Sequence, residues 1–204
     1  MQLIELGGPV VVILLVASVM GLTVFLVKLV QYLGYSRTRL RKAERMVTAW
    51  IAGDRTGAAQ HAPRKPGVYP SLLLSGMEWL DAGVEPAQVR DELTRQGQTL
   101  MARINSMNGF VELIAYLAPL GGLLGTVLGM VDVFQGLANT GGGAQTGALA
   151  GGIWEALLTT VVGLCVAIPF TLMHALLDGR ANRIRSHMED QMSRLFTASL
   201  YRHS

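Results

Sequence analysis

The chain has 204 residues, half of them apolar, with a mean hydropathy of +0.39, and the apolar residues are gathered into long uncharged runs. Such runs exclude an ordinary soluble domain and point to an integral membrane protein. Seventeen Lys and Arg against fourteen Asp and Glu give a net charge of +3; the basic residues cluster beside membrane exits, so topology accounts for them and no nucleic-acid partner is implied.

The first predicted span is Pro9 to Val27, 19 residues without a charge. No Lys or Arg precedes it, Glu5 stands where a signal peptide has a basic region, and the run exceeds a signal's apolar core. It therefore reads as a retained helix, although Ala17 and Ser18 mimic a cleavage site. Arg37-Thr-Arg-Leu-Arg-Lys-Ala-Glu-Arg continues as a basic helix at the membrane surface. Gly53, Gly57, Pro63, Pro66, Gly67 and Pro70 then predict a broken, loop-rich region. A short apolar helix with Leu72, Leu73, Leu74, Met77, Trp79 and Leu80 ends at Gly83, and Glu85-Pro86 opens the next with proline at its first position.

Leu93, Gly97, Leu100, Ile104, Met107 and Val111 recur at steps of three and four, a heptad-like seam with only Gly109 as a breaker. It predicts one helix from about residue 86 to about 135 that contains the second span, Leu113 to Val131. The third span lies in the 28 residues from Thr146 to Met173, about 42 Å of helix at ~1.5 Å per residue, enough to cross a bilayer. Leu177, Ala181, Ile184, Met188 and Leu195 extend it as an amphipathic tail helix. Both seams need partners, and periodicity does not choose between packing within the chain and packing on neighbouring copies.

The expected fold is thus all-α, with three transmembrane helices, the second and third extended into the cytoplasm as long helices. The expected boundaries are an N-terminal segment 1–8, spans at 9–32, 109–134 and 147–177, a helical loop at 33–108, a short loop at 135–146 and a tail helix at 178–204. Eleven of the seventeen basic residues lie between Arg37 and Arg103 and five between Arg180 and Arg202, with none in 1–8 or 135–146. The positive-inside rule therefore puts 33–108 and the tail in the cytoplasm, and the N-terminus and the 135–146 loop outside.

Chemistry is concentrated in the spans. Glu155 is the only charge between Thr146 and Met173, and an ionised group there costs about 2.5 kcal/mol or more, so a use in ion handling, in partner pairing or as a neutral acid is expected. Thr159 shares its helix face, Thr160 lies about 100° round, and Thr126 falls at a similar depth on the antiparallel second span. Three hydroxyls level with a carboxylate make a polar path, although each hydroxyl also suits the carbonyl of its own helix. Gly121, Gly125 and Gly129 form a small-residue stripe on span two, mirrored by Gly152, Ala156, Thr160 and Gly163 on span three, which reads as close helix packing. Pro119 and Pro169 free backbone carbonyls within the spans. Glu112 and Asp132 read as interfacial caps of span two, and Cys165 as a small packing residue. His174 suits an interfacial position or a proton relay; His61, His187 and His203 are scattered in loop and tail. No catalytic set, cofactor motif or metal-spaced cluster is present in the sequence, and an intramembrane enzyme using Glu155 lacks a second catalytic group.

Gly-Leu-Leu-Gly-Thr-Val-Leu-Gly-Met at 122–130 and Gly-Ile-Trp-Glu-Ala-Leu-Leu-Thr-Thr-Val-Val-Gly-Leu at 152–164 resemble the MotA/TolQ/ExbB proton-channel proteins, most closely their ExbB and TolQ branch. The three-span order and the large first loop match as well. The resemblance implies a multi-pass protein of the bacterial inner membrane and a ring, a pentamer, around a single-span ExbD/TolR-like partner with an intramembrane aspartate. Such a ring uses the proton motive force and passes movement to a TonB- or TolA-like protein. Carried over, the pore-lining threonines fall on Thr126 and Thr160 and the intramembrane acid on Glu155. Thr159 matches more loosely, and Trp154 is bulkier than the resemblance leads one to expect. A non-conducting scaffold and a TolQ-like role in envelope maintenance remain as alternatives, and neither the substrate served nor H⁺ versus Na⁺ is legible.

Overall fold

The computed structural model describes residues 8–33, 37–62, 68–139 and 146–202. Among these, every regular element is helical: α1 (Gly8–Leu33), α2 (Arg37–Ile51), α3 (Arg55–His61), α4 (Val68–Asp81), α5 (Pro86–Asn105), α6 (Asn108–Asn139) and α7 (Thr146–Arg202). The chain divides into two compact units, one of residues 1–28 and 107–177, the other of 29–106 and 178–204.

The first unit holds most of α1, all of α6 and the first part of α7, the three helices long and apolar enough to cross a membrane. Only 17%, 22% and 33% of their most apolar stretches is buried within the chain. The rest, including Ile13, Val19, Tyr116, Leu123, Trp154 and Ile168, is uncovered, as it must be where lipid or other chains supply the solvent. Small residues let the three helices approach. A Cβ added at Gly21 of α1 would strike Ile114 of α6 and Phe170 of α7. Pro119 and Pro169 lie inside α6 and α7, which continue through them.

In the second unit the turn chemistry explains the boundaries. Gly83 takes φ +80°, where a side chain would be strained, and stops the chain after α4; Pro86 opens α5 with Glu85 at its N-cap. Asp54 caps α3, its Oδ1 accepting from the Gly57 N–H at 2.7 Å, so part of the region expected to be loop-rich is helical. Pro63, Pro66 and Gly67 lie outside the described residues. A polar clasp joins α2, α3 and α4: Trp50 Nε1 donates to Asp81 Oδ2 at 3.1 Å, Arg55 pairs with Asp81, and the Arg55 guanidinium sits 4.4 Å over the Trp50 ring. The two seams pack on each other within the chain. Leu93, Leu100 and Ile104 of α5 and Ala181, Ile184, Met188 and Leu195 of α7 are all buried, and a Cβ at Gly97 would lie 3.2 Å from Met188 Cε.

Three expectations are corrected. The single helix from 86 to 135 is two: α5 ends at Asn105, Ser106 turns extended, and Met107 adopts φ +67° before α6 starts. The extension of a span as a long continuous helix therefore holds for α7, 57 residues, and not for α6. The break falls at Met107, a seam position that is exposed, and not at Gly109. Residues 135–139, expected as loop, continue α6; 140–145 lie outside the described residues. Cys165 is exposed on α7 and packs no core in this chain.

Candidate functional site

The site is built on the contact between α6 and α7. A Cβ on Gly163 would lie 2.6 Å from the Ala118 carbonyl oxygen and 3.0 Å from Gly122 Cα. A Cβ on Gly122 would lie 2.9 Å from the Thr159 carbonyl oxygen. Backbone meets backbone there, and only glycine on both sides permits it. Gly125 lies against Thr159, Gly129 against Ala156, and Gly152 against Val133. Each step along α6 is matched by a reverse step along α7, so the two are antiparallel in one continuous register. Gly121 departs from the expected stripe: it faces Leu14 of α1, and Gly122 takes its place opposite α7. The reason is helical period, since a contact stripe follows mixed steps of three and four and a strict step of four drifts off it.

The close approach brings the three threonines together. Thr159 Oγ1 donates to the Gly122 carbonyl at 3.0 Å and Thr160 Oγ1 to the same oxygen at 3.1 Å. Thr126 Oγ1 reaches it at 3.2 Å and lies 2.9 Å from Thr160 Oγ1. Thr126 also donates to the Leu123 carbonyl at 2.8 Å, and Thr159 to the Ala156 carbonyl at 2.7 Å. The own-helix bond and the cross-helix bond thus coexist. Thr159 is only 4% exposed, inside the helix pair, whereas Thr126 and Thr160 are half-buried and reach its open edge.

Glu155 lies one turn from Thr159 and is exposed on this chain, beside the exposed Trp154. It lines a cleft of about 460 Å³ shared with Gly125, Gly129, Ala156 and Thr159 and, unexpectedly, with Asp132. Asp132, read from the sequence as an interfacial cap, therefore joins the Glu155 end of the site. The register holds the missed signal: with Thr126 opposite Thr160, Asp132 must fall near Glu155. Among the described residues no group of His, Cys, Asp and Glu is arranged to hold a metal ion.

Two histidines have defined surroundings. His174 Nε2 is 3.9 Å from Glu112 Oε1, a pairing of α7 with α6. In the second unit His187 Nδ1 is 2.9 Å from the hydroxyl of buried Tyr69, with the rings edge to face. Burial lowers the His187 pKa against the opposing pull of Glu44 and Asp190, and burial raises that of Tyr69.

Comparison with known proteins supplies the family. The chain is 37% identical over 91 residues to the biopolymer transport protein exbB1 of Vibrio cholerae, covering 45% of this chain and 40% of that one. It is 34% identical over 150 residues to a putative ExbB homolog of Methanothermobacter thermautotrophicus, 69% of this chain and 52% of that one. It is 30% identical over 134 residues to the Tol-Pal system protein TolQ of Pseudomonas aeruginosa, 66% and 49%. The chain thus spans about half the length of the curated relatives it matches. The model of the MotA/TolQ/ExbB proton channel family, whose members are not enzymes, matches residues 66–190, which include the α6–α7 glycine contact, all three threonines and both carboxylates of the cleft. The chain belongs to the MotA/TolQ/ExbB proton channel family.

Proposed function

We propose that the chain is the proton-conducting stator subunit of a motor in the bacterial inner membrane, which uses the proton motive force to energise TonB-dependent transport across the outer membrane. The observation that carries this reading is the threonine cluster. Two antiparallel apolar helices pack with a half-buried hydroxyl edge, Thr126 and Thr160, about one and a half turns from the cleft that Asp132 and Glu155 line. Hydroxyls that accept and donate, in line with groups that titrate, are what a proton path in an apolar medium requires. Thr159 acts from inside, holding the Gly122 carbonyl in place.

The uncovered apolar faces of α1, α6 and α7 suit a homo-oligomeric ring in the bilayer, for which the family suggests a pentamer. The partner is an ExbD/TolR-like single-span protein whose intramembrane aspartate completes the path, acting on a TonB-like protein. The distribution of basic residues supports a periplasmic N-terminus and a cytoplasmic C-terminus. A TolQ-like role with a TolA-like protein is the second reading, favoured by the match to TolQ. Affinity purification from native membranes, with mass spectrometry of what accompanies the chain, separates the two by partner. The channel itself is tested by Glu155→Ala and Thr160→Val, which are expected to abolish transduction while assembly survives. Normal outer-membrane uptake in both variants would refute it.

A further inference from the structure

The formally charged groups and histidine of the membrane unit, among the described residues, fall into two sets. Asp132 and Glu155 share the cleft at one end. Lys28, Glu112 and His174 lie at the other. Along α1 the contacts run from Leu14 beside Gly121 to Gly21 beside Ile114, so Lys28, two turns further, reaches the level where α6 begins. Glu112 and His174 are placed by the register. Glu112 precedes Thr126 by fourteen residues on α6, and His174 follows Thr160 by fourteen on α7. Fourteen residues are about four turns and ~21 Å, so each member of the pair shares a helix edge with its threonine. The hydroxyl pair and the acid–imidazole pair therefore lie on one edge of the α6–α7 contact. Between them on α6 sits half-buried Ala115, whose carbonyl loses its helical donor because Pro119 has no N–H.

The two nitrogens of His174 have different surroundings. Nδ1 is buried and makes no hydrogen bond, while Nε2 faces the Glu112 carboxylate, whose side chain is 44% exposed. A neutral imidazole protonated at Nε2 keeps a lone pair on Nδ1. One nitrogen is thus turned inward, and the other is turned to an acid near the end of the span that this chain leaves partly uncovered, which is the arrangement a proton relay uses.

We infer that Glu112 and His174 form a second proton-exchange station, at the end of the α6–α7 edge opposite Glu155, which delivers protons to the side the basic residues mark as cytoplasmic. The inference rests on the channel reading above. A proton arriving along the edge binds the lone pair of His174 Nδ1 and gives imidazolium. Nε2 then gives its proton to the Glu112 carboxylate, and the carboxylic acid loses it to cytoplasmic water. The ring is left neutral with its proton on Nδ1, and a ring flip turns that N–H toward Glu112 and the bare Nε2 inward, ready for the next proton. One proton enters, one leaves, and no other group changes state.

The test is proton flux in liposomes holding the full chain with its co-purified partners, driven toward the cytoplasmic face, for wild type, His174→Asn and Glu112→Gln. Each substitution is expected to lower flux by about a hundredfold, the lower end of what a positioned acid–base group contributes. Imidazole added on the cytoplasmic face restores flux to His174→Asn, and imidazole on the other face does not. That sidedness distinguishes a relay from a packing role. Undiminished flux in both variants, or a loss that cytoplasmic imidazole leaves untouched, overturns the station while the channel reading stands. No flux in wild type overturns the channel reading itself. If His174→Asn fails to assemble, Glu112→Gln carries the test alone: reduced flux that rises with the concentration of cytoplasmic buffer supports the station, and wild-type flux refutes it.

Discussion

Gly163→Ala is the sharpest perturbation of the helix contact. The new methyl would lie 2.6 Å from the Ala118 carbonyl oxygen, 3.0 Å from Gly122 Cα and 3.2 Å from Gly122 N, all backbone atoms that no rotamer change can move. Ordinary contact begins at 3.4 Å, so α6 and α7 must part by several tenths of an ångström or more. Overpacking of this kind costs about 1–3 kcal/mol. Separation also stretches the bonds from Thr159 and Thr160 to the Gly122 carbonyl, now 3.0 and 3.1 Å, beyond useful length. Two such interhelical bonds add about 1 kcal/mol at roughly 0.6 each. The expected loss is therefore about 2–4 kcal/mol, read as a shift in reversible denaturant unfolding of the protein in bicelles. Gly179→Ala is the matched control, because a Cβ there meets nothing within 4 Å; helix propensity should stabilise it by up to about 1 kcal/mol. Equal stability of the two variants would refute a backbone-to-backbone contact at Gly163.

Asp81→Ala removes the shared acceptor of Trp50 Nε1, on a buried side chain, and of Arg55, which is partly exposed. A loss of about 1–2 kcal/mol is expected, one ordinary hydrogen bond plus a surface ion pair, with a shift in tryptophan emission as the readout. His187 carries a prediction about pH. Its folded pKa is lowered by burial, so the unfolded chain binds the extra proton first and stability falls as pH drops through the unfolded value of about 6.5. Melting curves at pH 7.5 and 5.5 should differ, and His187→Gln should shrink the difference; an unchanged difference would assign the pH dependence to other groups.

Much of the fold was legible because its signals are local. Long uncharged runs name the three spans, and Gly83 followed by Pro86 names a stop and a start. Asp54, three residues before Gly57, marks the cap of α3, but the surrounding Gly and Pro masked it. The break at Met107 was not legible, and the reason is specific. Ile104 and Val111 are both buried, each in its own unit, and their spacing continues one seam across the junction. Periodicity sees two cores in phase as one helix, and Met107 at φ +67° carries no glycine or proline to betray the turn. The three threonines and Glu155 stand out in the sequence, but Asp132 reads there as an interfacial cap, and the partnerships are not legible. Sequence spacing places Thr126, Thr159 and Thr160 at one depth, but only the register of α6 on α7 brings Asp132 to Glu155 and Glu112 to His174.

The threonine cluster has more donors than its acceptor can serve, and this orders the three hydroxyls by role. The Gly122 carbonyl has two lone pairs, and Thr126, Thr159 and Thr160 all lie within 3.2 Å of it. Thr126 and Thr159 also have carbonyls of their own helices, Leu123 and Ala156, at 2.8 and 2.7 Å. The hydroxyl partners of Thr160, the Gly122 carbonyl and Thr126, both lie on α6. Thr160→Val should therefore break the hydroxyl chain at its half-buried edge with little change of shape, for about 1 kcal/mol of stability at roughly 0.6 per bond. Thr159→Val should cost a similar amount yet leave the half-buried Thr126–Thr160 pair intact, since Thr159 lies inside the helix pair. Flux measured in parallel distinguishes an edge that conducts from a cluster that only packs. Loss in Thr160→Val alone assigns conduction to the edge, and equal flux in both variants at equal stability makes the cluster an adhesive between helices.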